Sequence, residues 1–80
     1  MQRDRLLIEL EALGYDPYRS DANFVLFGGV ENPDEMFEAL LARGILVRNV
    51  GIPNTLRVTA GTAYETTSFL TALAELTHRG

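Results

Sequence analysis

The chain contains no cysteine and no lysine. Without cysteine there is no disulfide framework, no thiolate zinc site and no thiol nucleophile. Without lysine there is no Schiff-base amine, no phosphate-loop lysine and no lysine general base. All seven basic residues are therefore arginines, at positions 3, 5, 19, 43, 48, 57 and 79. There is one histidine, His78, near the end, and no spacing of His, Asp and Glu suits a metal ion. No apolar run approaches the roughly 18 residues of a membrane span, and the opening residues do not read as a signal peptide. Eleven carboxylates against seven arginines give a net charge of −4. That balance argues against a general nucleic-acid or anionic-membrane binder, which carries a basic surface. A cytoplasmic setting fits these absences.

Apolar residues make up 46% of the 80 residues and charged residues 22%, the balance of one small globular domain. A chain this short, lacking Lys and Cys, does not read as a complete enzyme, although it can be a piece of one. Leu6, Leu7, Leu10 and Leu13 recur at helical spacing, and Gly14 reads as the residue that ends that helix. No N-cap precedes it, so the helix either frays at its first turn or continues a longer one. Tyr15 to Asp21 reads as a turn around Pro17. Ala22 to Phe27 reads as a strand bounded by Gly28-Gly29, with Phe24 and Leu26 on one face and Asn23, Val25 and Phe27 on the other. Asn32-Pro33-Asp34-Glu35 opens a second helix: an N-cap, proline at the first position, then carboxylates favoured by the helix dipole. Met36, Phe37, Leu40 and Leu41 form its apolar stripe, and Gly44 ends it.

Ile45 to Asn49 and Thr55 to Ala60 read as two further strands, joined by turn residues including Gly51, Pro53 and Asn54. Thr62-Ala63-Tyr64-Glu65 is a capping-box pattern, and the last helix carries Phe69, Leu70, Leu73 and Leu76 on one face. The predicted order is α-β-α-β-β-α. Its natural solution is an α+β domain with a small, mostly antiparallel three-stranded sheet covered by helices. A right-handed crossover through the middle helix leaves room for the Thr55–Ala60 strand between the other two.

Arg48 and Arg57 stand out because each lies within an apolar strand segment, Leu46-Val47-Arg48 and Leu56-Arg57-Val58. A hairpin closed by Gly51 to Asn54 sets them opposite one another, and a slip of one residue would separate them. Like charges directly opposite in a sheet are destabilising. Such a pair suits an anion held between two guanidinium groups, since Arg grips carboxylate and phosphate in bidentate fashion. The alternative is two edge arginines reaching solvent or pairing with Asp21, Glu31 or Glu65. The remaining features read more plainly. Gly28-Gly29 is a turn. Gly61-Thr62 could offer free amides to an anion, but the capping box explains it without a ligand. Asp34, Glu35 and Glu38 form a solvated helix face, His78 belongs to the tail, and Tyr15 and Tyr18 are packing residues at a turn.

From Ser20 onward the pattern is similar to that of a known family. Ser20-Asp21-Ala22-Asn23-Phe24-Val25-Leu26-Phe27 is followed by Leu40-Leu41-Ala42-Arg43-Gly44 and by Ile45-Leu46-Val47-Arg48-Asn49. Then come Gly51-Ile52-Pro53 and Leu56-Arg57-Val58-Thr59-Ala60-Gly61-Thr62, with Glu65 and Phe69-Leu70 completing it. Residues 20 to 76 resemble the C-terminal small domain of the histidinol-phosphate aminotransferases, which are fold-type-I pyridoxal-phosphate enzymes. The chain has Asn49 where that family often has Asp, and Thr66 where it often has Asn. Related aromatic aminotransferases and threonine-phosphate decarboxylase-like enzymes share much of the pattern.

The resemblance implies that residues 1–80 are one domain, a C-terminal piece of a larger chain. It implies that Arg57 clamps the α-carboxylate of the amino-acid substrate and that Arg48 helps to hold a substrate phosphate. The catalytic lysine and the pyridoxal-phosphate site would belong to a large domain absent from this chain, so the piece alone would be inactive. The parent would transfer an amino group between histidinol phosphate and 2-oxoglutarate in histidine biosynthesis, as a cytoplasmic homodimer. It would bind neither nucleic acid nor membrane. Two other classes stay open on the residues alone. One is a freestanding ferredoxin-like or amino-acid-sensing module, which a fourth strand after the last helix would favour. The other is a protein–protein adaptor, whose sign would be an exposed apolar patch.

Overall fold

A computed structural model describes residues 2–19 and 23–78. The element order is α1 (Gln2–Ala12), β1 (Asp16–Arg19), β2 (Phe24–Gly28), α2 (Pro33–Ala42), β3 (Leu56–Thr59) and α3 (Ala63–His78). The strands form one antiparallel sheet in the order β1-β2-β3. The α+β class and a three-stranded antiparallel sheet are therefore as expected, but the membership of the sheet is not.

Two segments differ from the sequence reading. Asp16 to Arg19, read as a turn, is an edge strand that pairs Pro17 with Phe27 and Tyr18 with Leu26. Proline is excluded from central strands because it lacks an N–H, but an edge tolerates it. Ile45 to Asn49, read as a strand, keeps a single ladder position, the bridge between Arg48 and Arg57. The ends of this segment are drawn elsewhere. The Ile45 amide donates to the Leu40 carbonyl to finish α2, and the Asn49 side chain accepts from the Gly51 amide within the turn. Only Arg48 is left to meet β3. The expected neighbours do persist, with β3 between β2 and Arg48. Ala22, the first residue of the expected strand, lies outside the described residues.

Helix ends agree closely with the sequence signals. The Tyr15 amide donates to Leu10 and that of Gly14 to Glu11; the Ile45 amide donates to Leu40 and that of Gly44 to Leu41. Both sets are Schellman pairs, and each needs a left-handed residue, supplied by Gly14 at φ 94° and Gly44 at φ 79°. Asn32 caps α2 by accepting from the Glu35 amide at 3.2 Å. The capping box of α3 is closed in both directions: Thr62 Oγ1 accepts from the Glu65 amide at 3.1 Å, and Glu65 Oε1 accepts from the Thr62 amide at 2.8 Å.

The core lies on one face of the sheet. Val25 and Phe27 of β2 and Leu56 and Val58 of β3 are buried against Leu6 and Leu10 of α1, Leu40 of α2, and Phe69 and Leu73 of α3. Phe27 is fully buried and meets both Tyr15 and Phe69 edge-on, each at 5.7 Å between ring centroids. Met36 and Phe37 pack at the margin of this core. Leu41, read as part of the same stripe, is instead exposed. Removing the Phe27 ring would leave a cavity beside Tyr15 and Phe69. Phe27→Ala should cost about 3–5 kcal/mol, read as a fall in the urea midpoint of unfolding with little change in slope.

Candidate anion-binding face

The core consumes alternate residues of β2 and β3, so their neighbours must point to the opposite face. That face carries Phe24, Leu26 and Arg57, all partly exposed, and Tyr18, which is 47% exposed. The registers align four residues in one row across the sheet: Tyr18, Leu26, Arg57 and Arg48. The two arginines exchange backbone hydrogen bonds, Arg48 N to Arg57 O and Arg57 N to Arg48 O, both at 2.8 Å. Directly opposed residues in an antiparallel pair share a face, with Cα atoms about 5.5 Å apart when hydrogen-bonded. The sequence expectation that Arg48 and Arg57 stand opposite one another is met.

Their surroundings differ. The Arg57 guanidinium lies over the Phe24 ring, 4.3 Å from its centroid, a cation–π arrangement. Arg57 Nε is buried and has no hydrogen-bond partner. A buried, unpaired N–H of a charged group is costly. A carboxylate taking Nε and one terminal nitrogen together would satisfy it. Arg48 is exposed and projects from a segment held by one bridge. Other arginines are already engaged: Arg5 donates to the Thr67 hydroxyl, and Arg43 pairs with Glu75. Among the described residues neither Arg48 nor Arg57 meets a carboxylate. Glu65 is used in the capping box, and Asp21, another partner considered from sequence, lies outside the described residues.

Several supporting residues are not legible as such in the sequence. Tyr18, expected to pack at a turn, stands on the open face; Tyr15 alone is a core residue, its hydroxyl bonded to Thr77 at 2.7 Å. Gly28 permits the Tyr18 placement, because a Cβ there would lie 3.1 Å from the Tyr18 hydroxyl. Asn54 has φ 58° and donates to the carbonyls of Val30 at 2.9 Å and Glu31 at 3.3 Å, tying the turn before β3 to the start of α2. Asn49 donates to Asp34 at 2.7 Å and accepts from the Gly51 amide at 3.1 Å. Asp34, read as solvated, is therefore a hydrogen-bond acceptor. Thr66 is buried with its hydroxyl unpartnered.

Other candidates yield no site. Gly29 has φ 81°, in keeping with a turn, and the α3 start is filled by its own Glu65. The side chain of His78 lies outside the described residues. No group of three or more metal-ligating side chains occurs among the described residues, and no helix there is long and apolar enough to cross a membrane. Two surface clefts, of about 390 and 620 Å³, lie beside α3, and neither is lined by Arg48 or Arg57. The arginine face is the stronger candidate, because it combines unsatisfied charge with fixed geometry and the clefts do not.

Residues 1–73 match the family model of the class I and II aminotransferases. The chain is 54% identical over 76 residues to the histidinol-phosphate aminotransferase of Paenarthrobacter aurescens, covering 95% of this chain and 20% of that protein. It is 52% identical over 75 residues to the enzyme of the same name from Streptomyces avermitilis, covering 94% of this chain and again 20% of the relative. A crystal structure of a Burkholderia pseudomallei protein assigned as an aminotransferase superposes with a TM-score of 0.85 at 33% identity, covering 95% of this chain and 24% of that one. The chain thus spans about one fifth of the length of the curated relatives it matches. By this match, with its fold in agreement, the chain belongs to the class I and II aminotransferase family.

Proposed function

We propose that these 80 residues are the C-terminal, substrate-clamping domain of a pyridoxal-phosphate-dependent histidinol-phosphate aminotransferase. The observation that carries this reading is the Arg48–Arg57 pair: two opposed arginines that meet no carboxylate among the described residues, one of them over the Phe24 ring with its Nε buried and unpaired. The names of the relatives supply the substrate class.

Charge matching gives each arginine a task. A glutamate or 2-oxoglutarate α-carboxylate carries one negative charge and fits the planar fork of Arg57. Histidinol phosphate has a phosphate ester on the carbon that replaces this carboxylate. Its near-dianion needs a second cation, which Arg48 offers from the adjacent strand position. Holding either anion in one place orients the amino-bearing carbon for proton transfer by groups outside this chain, which is a positioning effect.

These residues do not fit a cofactor holder. The chain has no lysine, and at the start of α3 the Thr62 and Glu65 amides are already engaged in the capping box. In this proposal pyridoxal phosphate and the catalytic lysine belong to a large domain elsewhere in the parent chain, a cytoplasmic homodimer. The cofactor supplies the electron sink for amino transfer.

The assignment is tested in the parent and in the isolated chain. In the full-length parent, Arg57→Ala should lower kcat/KM for every substrate. The loss of a charge-assisted clamp is worth about 1.5–3 kcal/mol, or roughly ten- to hundredfold. Arg48→Ala should chiefly impair histidinol phosphate, and equal losses with phosphorylated and unphosphorylated substrates would remove its phosphate role. The 80-residue chain mixed with pyridoxal phosphate should give no borohydride-trapped side-chain adduct, detected by peptide mass mapping; labelling of the α-amino group is compatible with the proposal. Phosphate should also raise the melting temperature of the 80-residue chain beyond chloride of equal ionic strength, and Arg57→Gln should abolish that excess. Identical shifts in the two proteins would count against a shared anion site.

A further inference from the structure

Arg48 is held to the sheet by its two backbone hydrogen bonds with Arg57. It is exposed, and its segment meets the sheet at one bridge only. The preceding residue, Val47, is buried in the core. Beyond Asn49 the chain forms a turn, residues 50–55, that could swing about that bridge. The turn is fastened at both flanks to the junction between β2 and α2. On the β3 side, Asn54 donates to Val30 and Glu31, and the Val30 amide donates to Asn54 O at 3.0 Å. On the Arg48 side the fastening among the described residues is Asn49, through Asp34 in the first turn of α2.

We propose that Asn49 is the positioning residue of Arg48, holding the phosphate-binding arginine in register by linking it to Asp34. This inference rests on the phosphate role assigned to Arg48 above. The chemistry of the link is specific. Asn49 uses both ends of one side-chain amide: Nδ2 donates to Asp34 Oδ1 at 2.7 Å, and Oδ1 accepts from the Gly51 amide at 3.1 Å. Aspartate, which the resembling family often carries at position 49, could still accept from Gly51. In this chain, however, it would stand beside Asp34, for which it has no donor when ionised. Two carboxylates would then face one another across a hydrogen-bond distance and push the segment away from α2. Asp34 itself needs only to be an acceptor, which asparagine also is.

These donor rules predict an asymmetric mutant cycle, measured on the full-length holoenzyme so that the cofactor fills its own phosphate site. Calorimetric titration with inorganic phosphate reports the site without requiring turnover. Asn49→Asp should weaken phosphate binding by about tenfold. Asp34→Asn should stay within about twofold of the parent, since the amide oxygen still accepts. The double variant Asp34→Asn/Asn49→Asp reverses donor and acceptor and should recover most of the lost affinity. In turnover, Asn49→Asp should raise KM for histidinol phosphate more than KM for glutamate, a split that general destabilisation would not produce. Thermal melts of the same variants identify any that fail to fold, and the double variant then carries the comparison.

Phosphate affinity that is no better in the double variant than in Asn49→Asp, or that is unchanged in all three, would overturn the positioning role. If the holoenzyme failed to transaminate histidinol phosphate while phosphate binding still obeyed the cycle, the substrate assignment would fall and the role of Asn49 would stand. Normal turnover with phosphate affinity indifferent to the cycle would remove the role of Asn49 alone.

Discussion

Burial of Phe27 constrains the rest of the sheet. The ring sits where helices α1 and α3 meet the strands, in edge contact with Tyr15 and Phe69. A strand alternates its side chains, so turning Phe27 and Val25 inward turns Leu26 and Phe24 outward. The register with β3 then sets Arg57 beside Leu26 and opposite Arg48. One buried aromatic residue thereby determines which face carries the positive charge. A slip of a single residue would bury a guanidinium in the core and expose Val58.

The charged face departs from what stability alone would select. Two arginines directly opposed on one face repel one another. Three carboxylates of the described residues are engaged elsewhere: Glu65 closes the cap of α3, Glu75 holds Arg43, and Asp34 accepts from Asn49. Phe24 offsets part of the burden by stacking under Arg57, but it leaves the buried Nε unpaired. Local rules are satisfied at the helix ends and broken at one exposed pair, the pattern expected of the proposed binding site. The unsatisfied donor is also the feature that makes a bound anion favourable, since the ligand restores a hydrogen bond that folding withheld.

Position matters as much as charge. Arg57 is held by a regular strand and an aromatic ring, whereas Arg48 depends on a bridge and a side-chain tie to the next element. Both asparagines of that turn, Asn49 and Asn54, spend their amides on the β2–α2 junction. The start of α2 is itself fixed by Asn32 and Pro33. The arginine pair is thus referred to the one junction between β2 and α2, an arrangement in keeping with the proposed clamping role.

Much of this is legible in the residues. Leucine spacing marks the core faces of α1 and α3, Gly14 and Gly44 mark two helix ends, and the Thr62–Glu65 box marks a third terminus. These signals act over a few residues, through backbone hydrogen bonds that close locally. The opposition of Arg48 and Arg57 is also readable, because the length of the intervening turn fixes a hairpin register. The sheet edge is not. Pro17 looks like a turn residue because its value as an edge-strand residue depends on having Phe27 opposite. Ile45 to Asn49 looks like a strand because its apolar residues say nothing of the hydrogen bonds that pull its ends toward Leu40 and into the turn. The site's supports, Phe24 beneath Arg57 and Asp34 beside Asn49, join residues 33 and 15 positions apart. The sequence by itself determined helix ends, alternating faces and the arginine pair, all set by short-range geometry. Only the tertiary structure decided which strand forms the edge and which side chains hold the arginines, because those contacts exist only once distant segments pack together.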